Sequence, residues 1–281
     1  MDNFLPIEQR VDADFPVREI EADGRVFSYR TAGEGPMLVL LHGIGSGSGS
    51  WFHQLHGLAD QYCMIAWDAP GYGRTTPLVT EFPDAKDYAT ALKAFLTALD
   101  IQPDVIIGHS LGALMAGAFV AAFKPALRAL ILADPANGYG AADEAIRLEK
   151  MNARLAMVND LGVAEMAKSR SSNLLSASAS DEALALVRWN MSLIHAEGYR
   201  QATRMLAHGH LIGDADAFVG PVLVMGGSED IVTPEAGCRE VAAAFRNSEY
   251  STLPGVGHAS YVENGKQFNN MVQSFLDPLH G

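Results

Sequence analysis

The segment 108–112, which reads Gly-His-Ser-Leu-Gly, constrains the fold of this chain more than any other part of the sequence. An apolar run, 105–107, precedes it, and a run of small residues, 113–118, follows it. This order predicts a buried strand, a tight turn with Ser110 at its apex, and a helix packed closely against a sheet. Because the turn forces a positive φ on the serine, glycines are needed on both sides, where a Cβ would collide with neighbouring backbone. The strained turn exposes the Ser110 hydroxyl at the positive end of a helix, which predicts a nucleophile.

Short aliphatic runs alternate with helical patterns along most of the chain. The predicted strands cover residues 26–29, 38–41, 64–67, 105–107, 129–132, 222–225 and 250–253. The predicted helices lie near residues 51–60, 86–99, 111–124, 235–245 and 267–276. The middle strands are continuously apolar, as is typical of parallel strands covered on both faces. The chain is therefore predicted to be an α/β protein with a doubly wound sheet and right-handed crossovers.

The alternation of strands and helices breaks in one long segment, residues 137–216. This segment contains amphipathic stretches at 143–158, 181–195 and 199–208 and a serine-rich stretch at 169–180. We expect it to form a helical cap over the carboxyl edge of the sheet. The predicted organisation is a core of residues 1–136 and 217–281 with an inserted helical cap of residues 137–216.

Composition and charge exclude several kinds of partner. The formal net charge of −13 argues against nucleic acid and against anionic membranes. No apolar stretch reaches the roughly 18 residues of a membrane span, and residues 1–8 lack the basic and apolar regions of a secretory signal. Cys63 and Cys238 offer neither a disulfide framework nor a metal-ligand spacing. We therefore expect a cytoplasmic protein that acts on a small molecule without a metal or other cofactor. The sequence is compatible with a homo-oligomer.

A serine hydroxyl becomes a useful nucleophile only when a base takes its proton and an acid orients that base. In a doubly wound sheet, the carboxyl ends of the parallel strands meet at one edge. Asp230 follows the predicted strand 222–225, and His258 follows the predicted strand 250–253. The chain order Ser110, Asp230, His258 is the one expected for a nucleophile-elbow scaffold. These three residues are the predicted catalytic residues.

Other residues could take the acid or base role. Glu229 is next to the favoured aspartate, and Asp134 ends the predicted strand 129–132, so either carboxylate could serve as the acid. His42 and His109 lie beside the reacting groups in the sequence. We interpret them as packed, hydrogen-bonded histidines that shape their turns rather than as bases.

Attack on a carbonyl creates an oxyanion, which needs two preorganised N–H donors. The first is expected to be the backbone N–H of Leu111, which directly follows the nucleophile. The second is expected from the loop after the predicted strand 38–41, which leads into Ile44. Loss of one such donor typically costs about 2.7–4 kcal/mol of transition-state stabilisation.

Five ordered landmarks together resemble the α/β-hydrolase superfamily, and they are the segments 41–45, 68–73 and 108–112 followed by Asp230 and His258. The resemblance covers nearly the whole chain. It implies the α/β-hydrolase fold, with a mostly parallel sheet of about eight strands, the Ser-Asp-His triad, and oxyanion donors at Ile44 and Leu111. Epoxide hydrolases and haloalkane dehalogenases carry aspartate at the elbow, so Ser110 argues against those activities.

Within the superfamily the features point in two directions. The glycine- and serine-rich segment 43–50 resembles the meta-cleavage-product hydrolases, which break C–C bonds in aromatic catabolism, and Arg188-Trp189 could match an arginine that meets the substrate carboxylate there. Those enzymes usually have asparagine and tryptophan where this chain has His109 and Ala259. Gly-His-Ser is more usual among carboxylesterases, lactonases and thioesterases.

The leading hypothesis is a hydrolase of a small carboxylic ester, lactone or thioester that works through an acyl-Ser110 intermediate. The second is a C–C bond hydrolase of 2-hydroxy-6-oxo-dienoates, and the third is a non-catalytic ligand-binding protein on the same fold. The candidates for contact with the substrate are His42, Gly43, His109, Arg188 and Trp189.

Overall fold

The computed structural model describes residues 5–280. Residues 1–4, which belong to the segment compared above with secretory signals, and residue 281 lie outside it. Within this range, eight strands form one sheet. They are β1 (Arg18–Ala22), β2 (Arg25–Ala32), β3 (Met37–Leu41), β4 (Cys63–Trp67), β5 (Val105–His109), β6 (Ala129–Ala133), β7 (Val222–Gly227) and β8 (Ser248–Leu253). Seven of them contain the predicted strands, and β1 has no predicted counterpart.

The strand order across the sheet is β1-β2-β4-β3-β5-β6-β7-β8. β2 is antiparallel to both β1 and β4, whereas every other neighbouring pair is parallel. His109 at the end of β5 is paired with Ala133 of β6, and Ala133 is paired with Met225 of β7. The loops after β5, β7 and β8 therefore leave the same edge of the sheet. The predicted α/β class with a mostly parallel sheet of about eight strands is confirmed.

The described residues contain twelve α-helices. They are α1 (Ile7–Asp14), α2 (Phe52–Gly57), α3 (Ala85–Ala98), α4 (Leu111–Phe123), α5 (Glu144–Asp160), α6 (Gly162–Arg170), α7 (Asp181–Ser192), α8 (Ala196–His208), α9 (Leu211–Asp214), α10 (Glu235–Ala244), α11 (Ser260–Glu263) and α12 (Gly265–Leu276). None of the helices in residues 5–280 combines the length and the apolar character needed to cross a membrane.

Helices cover both faces of the sheet because successive strand side chains point to opposite sides. In β3, Val39 and Leu41 belong to the apolar cluster that includes α3 and α4. Leu38 and Leu40 belong to the cluster on the other face, which includes α2 and α12. All four side chains are fully buried. This arrangement makes β3 a central, doubly covered strand, as its continuous apolar sequence predicts.

The segment between β6 and β7 is helical, as expected, and we call residues 137–216 the helical insert. Here α5 packs against α8, and α6 packs against α7. The insert also reaches the core, because α8 contacts α3 and α4 and α7 contacts α1. The boundaries of the insert, and its role as a separate cap, stay a prediction.

One close contact fixes α8 against the loop that follows β4. A Cβ on Gly198 would overlap the backbone of Gly71, so the two chains approach at a distance that only glycine allows. Beside this contact, the Gln201 side chain donates to the carbonyl oxygens of Leu78 and Thr80, at 2.8 and 2.9 Å. The helical insert is therefore held against the core by backbone contact and by buried hydrogen bonds.

Candidate active site

The turn between β5 and α4 has the geometry that its sequence predicts. Ser110 has a φ of +51°, in the region that side-chain-bearing residues rarely occupy. A Cβ on Gly108 would lie 2.5 Å from the carbonyl oxygen of Gly112, and a Cβ on Gly112 would overlap the carbonyl of Leu41. The Ser110 N–H donates to the Ala133 oxygen at 2.9 Å, which ties the turn to β6. The two glycines therefore allow the strand and the helix to meet closely, with the serine at the turn facing a cavity.

The structure brings Ser110, His258 and Asp230 together in one hydrogen-bonded chain. The Ser110 hydroxyl donates to Nε2 of His258 at 3.0 Å. The opposite nitrogen, Nδ1 of His258, donates to Oδ2 of Asp230 at 2.8 Å. The carboxylate thus selects the Nδ1–H tautomer and leaves Nε2 free to accept the serine proton.

The carboxylate of Asp230 is held ionised in a mostly buried position. Burial opposes its ionisation, but hydrogen bonds from His258 and Thr233 lower its pKa to about 2. Oδ1 accepts from the backbone N–H groups of Val232 and Thr233, at 2.7 and 3.0 Å, and Oδ2 also accepts from the Thr233 hydroxyl at 2.7 Å. In turn, burial disfavours a charged His258, but the hydrogen bond and charge of Asp230 raise the pKa of the ring above its ordinary value. The pair is therefore arranged to stabilise an imidazolium when a proton arrives.

Two backbone N–H groups are free beside the serine. Within residues 5–280, neither the N–H of Leu111 nor that of Ile44 donates to a protein acceptor. The loop that carries Ile44 lies against the nucleophile, since a Cβ on Gly43 would be only 3.1 Å from Cβ of Ser110. The Tyr72 hydroxyl donates to the Ile44 carbonyl at 2.9 Å and holds this loop in place. Leu111 and Ile44 both line the cavity above the serine.

His42 does not line the cavity next to Ser110, which corrects the expectation that it contacts the substrate. Its ring is fully buried. Nδ1 donates to the Gly43 carbonyl at 2.8 Å, and Nε2 accepts from the Ala69 N–H at 3.0 Å. Burial lowers the pKa of the ring. His42 is therefore a neutral link between the ends of β3 and β4, whereas its neighbour Gly43 does line the cavity.

His109 lines the cavity and also supports the predicted base. Its Nε2 donates to the His258 carbonyl at 2.8 Å. The His109 ring lies 4.9 Å from the His258 ring and 4.6 Å from the Tyr261 ring, between centroids. Burial, followed by the nearby charge of His258, lowers the pKa of His109 to about 3. His109 is therefore neutral and positions the loop of His258.

The structure distinguishes Asp230 from the two alternative acids. Glu229 is exposed and its side chain does not reach the His258 ring. Asp134 is fully buried, but it accepts from the Gly227 N–H at 2.8 Å and from the Ser260 hydroxyl at 2.5 Å. Burial raises the pKa of Asp134 to about 7. Asp134 therefore joins the end of β7 to the segment after His258 without contacting the His258 ring.

Arg188 and Trp189 do not reach the cavity, which corrects their proposed contact with the substrate. The Arg188 side chain is exposed and donates to the Ser171 hydroxyl at 3.3 Å. Trp189 lies in a separate cavity of about 320 Å³, where the Arg30 guanidinium is 5.8 Å from its ring centroid. The face of α7 that lines the cavity carries Val187 and Met191 instead. Arg188 lies about 100° around the helix axis from Val187, and its side chain is exposed rather than part of the cavity lining.

The cavity above Ser110 has a volume of about 570 Å³ and lies between the sheet edge and the helical insert. Its lining includes several polar residues that the sequence analysis does not predict: Tyr139, Arg154, Arg170, Asn173, Tyr199 and Tyr261. Four of them, from Arg154 to Tyr199, belong to helices of the insert or to the turns between them. Within residues 5–280, no cluster of three His, Cys, Asp or Glu side chains could hold a metal ion.

Comparisons with known proteins agree with this geometry. Residues 36–265 match the model of a family described as having the alpha/beta hydrolase fold. A Paraburkholderia xenovorans protein named 2-hydroxy-6-oxononadienedioate/2-hydroxy-6-oxononatrienedioate hydrolase is 28% identical over 275 residues, which span 92% of this chain and 94% of that protein.

Two solved structures share the fold over almost their whole length. A thermophilic esterase from Thermogutta terrifontis superposes with a TM-score of 0.84 at 21% identity, covering 94% of this chain and 99% of the esterase. An enol-lactonase from Burkholderia xenovorans LB400 superposes with a TM-score of 0.83 at 22% identity, covering 92% of this chain and 100% of the lactonase. At these identities the likeness concerns the fold.

Proposed function

Since the chain belongs to the α/β-hydrolase fold family, we propose that it is a serine hydrolase of a small carboxylic ester, lactone or thioester. The observation that carries the proposal is the hydrogen-bonded chain from Ser110 through His258 to Asp230. It begins at a strained serine that faces a cavity. Nucleophile, base and orienting acid at hydrogen-bond distance are the requirement for acyl transfer through serine.

In the first half of the proposed reaction, Ser110 Oγ attacks the carbonyl carbon of the substrate while Nε2 of His258 takes the hydroxyl proton. The negative charge that develops on the carbonyl oxygen is stabilised by the N–H groups of Ile44 and Leu111. When the tetrahedral intermediate collapses, the alcohol or thiol leaves with the proton from His258. The acyl group stays on Ser110 as an ester.

In the second half, His258 removes a proton from a water molecule, and the resulting hydroxide attacks the acyl carbon. The same N–H groups stabilise the second oxyanion. The Ser110 oxygen then leaves with the proton from His258, and the carboxylic acid product is released. Asp230 stays ionised throughout and stabilises the imidazolium that forms in each half.

Two features favour ester-type substrates over other acyl compounds. The residue before the nucleophile is His109, as in the Gly-His-Ser pattern of carboxylesterases and lactonases. The structural neighbours include a protein named an esterase and one named an enol-lactonase. Both neighbours are below 25% identity, so they support the reaction class through the shared fold alone.

A fluorophosphonate probe tests the proposed nucleophile directly. We expect it to label Ser110 in the folded protein, and Ser110→Ala to abolish labelling. A panel of p-nitrophenyl esters of increasing acyl length then measures kcat/KM. If the folded protein is not labelled and cleaves no ester of the panel, the proposal fails and a non-catalytic ligand-binding role replaces it.

C–C bond hydrolysis is the second candidate function. It is favoured by the relative named as a hydrolase of 2-hydroxy-6-oxononadienedioate. Arg188, the arginine that the sequence analysis proposes for the dienoate carboxylate, lies outside the cavity, so this particular contact does not support it. Assay of a 2-hydroxy-6-oxo-dienoate beside the ester panel separates the two. A dienoate kcat/KM several orders of magnitude above that of every ester would replace the ester hypothesis.

A further inference from the structure

Two arginines of the helical insert line the cavity without a carboxylate partner. Arg154 on α5 is half-buried, and Arg170 at the end of α6 is exposed at the cavity opening. Arg154 donates to the Lys150 carbonyl at 3.3 Å, and its guanidinium lies 5.6 Å from the centroid of the Tyr139 ring. Within residues 5–280, neither arginine forms an ion pair.

Another arginine of the insert, by contrast, has a carboxylate partner outside it. Arg204 on α8 pairs with Glu81 at 2.9 Å, and its guanidinium stacks 4.4 Å from the Phe82 ring centroid. The whole chain carries a net charge of −13, so acidic side chains are plentiful. Two guanidinium groups left unpaired at one cavity therefore form a local positive region in an acidic protein.

Both arginines share the lining of the cavity with Tyr199. Burial raises the pKa of the Tyr199 hydroxyl, whereas the charges of Arg154 and Arg170 lower it. Tyr199 itself lines the cavity and is almost fully buried. Arg154 on α5 and Arg170 on α6 therefore bring two positive charges to the cavity that Tyr199 also lines.

The surroundings strengthen the attraction for an anion. The walls beside the arginines include the apolar side chains of Met157, Met166 and Leu174. In such a setting, electrostatic attraction is screened less than in water, and hydrogen bonds from guanidinium to a carboxylate are charge-assisted. An acidic residue, Glu240, also lines the cavity, but it is exposed on α10, the helix that follows the Asp230 loop.

We propose that the substrate carries a carboxylate remote from the bond that is cleaved, and that Arg154 and Arg170 bind this carboxylate. The substrate class is then a half-ester, or a carboxylate-bearing lactone or thioester, rather than a neutral alkyl ester. The inference rests on the proposed function for the cleaved bond, but it concerns a different part of the cavity from the Ser110 end. Its test therefore uses binding, which does not require turnover.

The test compares two ligands with Ser110→Ala, which cannot form an acyl intermediate. Monomethyl adipate has the required carboxylate, and dimethyl adipate replaces it with a neutral ester of similar length. We expect monomethyl adipate to bind about tenfold tighter or more, as measured by calorimetry. The preference should disappear when Arg154→Gln and Arg170→Gln are added together.

Arg200→Gln is the control for charge, because it removes one positive charge from the insert away from the cavity. Arg200 lies on α8, where its Nε donates to Asn159 at 2.9 Å, and it does not line the cavity. We expect it to keep the full preference. If the double glutamine variant does not fold, the variant with lysine at both positions tests the same point. Lysine keeps the positive charge but lacks the planar guanidinium that can donate two parallel hydrogen bonds to a carboxylate. It should therefore bind monomethyl adipate more weakly than arginine does.

The position of the carboxylate is tested with 4-acetoxybutanoate, which carries it on the alcohol part of the ester. Preference for either carboxylate ligand over its neutral counterpart supports the proposal. Equal binding of charged and neutral ligands, or a preference that survives the double glutamine variant, overturns it. A preference in a protein whose Ser110 is not labelled by fluorophosphonate would instead retain this proposal and reject the proposed function.

Discussion

The Glu263 carboxylate joins Ser176 of the helical insert to the loop that carries His258. Oε2 accepts from the backbone N–H groups of Ser176 and Gly257, each at 2.9 Å, and Oε1 accepts from the Ser176 hydroxyl. Beside it, the Ala259 N–H donates to the Leu174 carbonyl at 2.7 Å. The two neighbours of His258 in the chain are thus both fixed: Gly257 donates to the Glu263 carboxylate, and Ala259 donates to the helical insert.

Glu263→Gln is expected to weaken this connection, because an amide has one accepting oxygen where the carboxylate has two. Hydrogen bonds to a charged group contribute about 1.5–3 kcal/mol each, so the free energy of unfolding should fall by about that amount. We also expect kcat to fall about tenfold as the His258 loop loosens. Denaturant unfolding and steady-state kinetics measure the two effects. Glu165→Gln, which removes an exposed acid paired with Lys168, should change neither quantity, and equal effects of the two variants would contradict the role of Glu263.

Ser110→Ala and His258→Ala are each expected to reduce kcat by about 10⁶ while the fold is retained. The two side chains act as one unit, so the double variant should be no slower than either single variant. The measurement is single-turnover and steady-state hydrolysis of the best ester of the panel, with thermal unfolding as the control for folding. Substantial remaining activity in either variant would show that another nucleophile or base operates.

Asp230→Asn is expected to reduce kcat by about 10⁴, because an amide favours the wrong tautomer of His258. Glu229→Gln is the matched control, since Glu229 is the adjacent residue, is exposed and does not contact the ring. It should have less than a twofold effect. A larger loss from Glu229→Gln than from Asp230→Asn would assign the acid role to Glu229.

Asp134→Asn is expected to shift the pH dependence of the reaction. His258 must be neutral to accept the serine proton, so its raised pKa places the acid limb of kcat/KM above the ordinary range. The charge of Asp134 is one cause of that raised pKa. Its removal should therefore move the acid limb to lower pH. An unchanged pH profile would show that the Asp134 charge does not reach His258.

The same variant has a second readout in stability. The folded-state pKa of Asp134 is about 7, above its ordinary value, so the folded state binds the proton more tightly than the unfolded state does. The stabilisation that Asp134 gives the folded state is therefore fully present below the ordinary carboxyl pKa, and it is lost as pH rises through about 7. In Asp134→Asn, the free energy of unfolding should no longer fall over this pH range. If the free energy of unfolding of the unchanged protein and of Asp134→Asn varied with pH in the same way, this role of Asp134 would be contradicted.

The sequence was most informative where topology limits the choices. Continuous apolar runs identify the central strands, and parallel strands bring the residues after them to one edge, so the sequence places Asp230 and His258 at the same edge as Ser110. β1 was missed because it is an edge strand whose residues, Arg18–Ala22, are mostly exposed and carry three charges. An apolar pattern cannot identify a strand that buries so little.

The side of the cavity formed by the insert could not be predicted in the same way. An amphipathic pattern shows that α7 is a helix, but the residue that faces a cavity depends on how the helix is rotated by its neighbours. The sequence therefore predicts a cavity contact for Arg188, although the rotation of α7 places its side chain outside the cavity. Arg154 and Arg170 have no signal in the sequence, because only the packing of α5 against α8 and of α6 against α5 brings them to the cavity that Tyr199 lines.

The positive φ of Ser110 has an evolutionary consequence. Any residue with a Cβ at this position adopts a conformation that costs about 1–3 kcal/mol, whereas glycine adopts it without steric cost. Ser110→Gly should therefore be at least as stable as Ser110→Ala, although glycine usually lowers stability elsewhere. Selection for a more stable protein would favour loss of the hydroxyl at this residue. Serine at this position therefore gives up stability that glycine would keep, in return for a hydroxyl that faces the cavity.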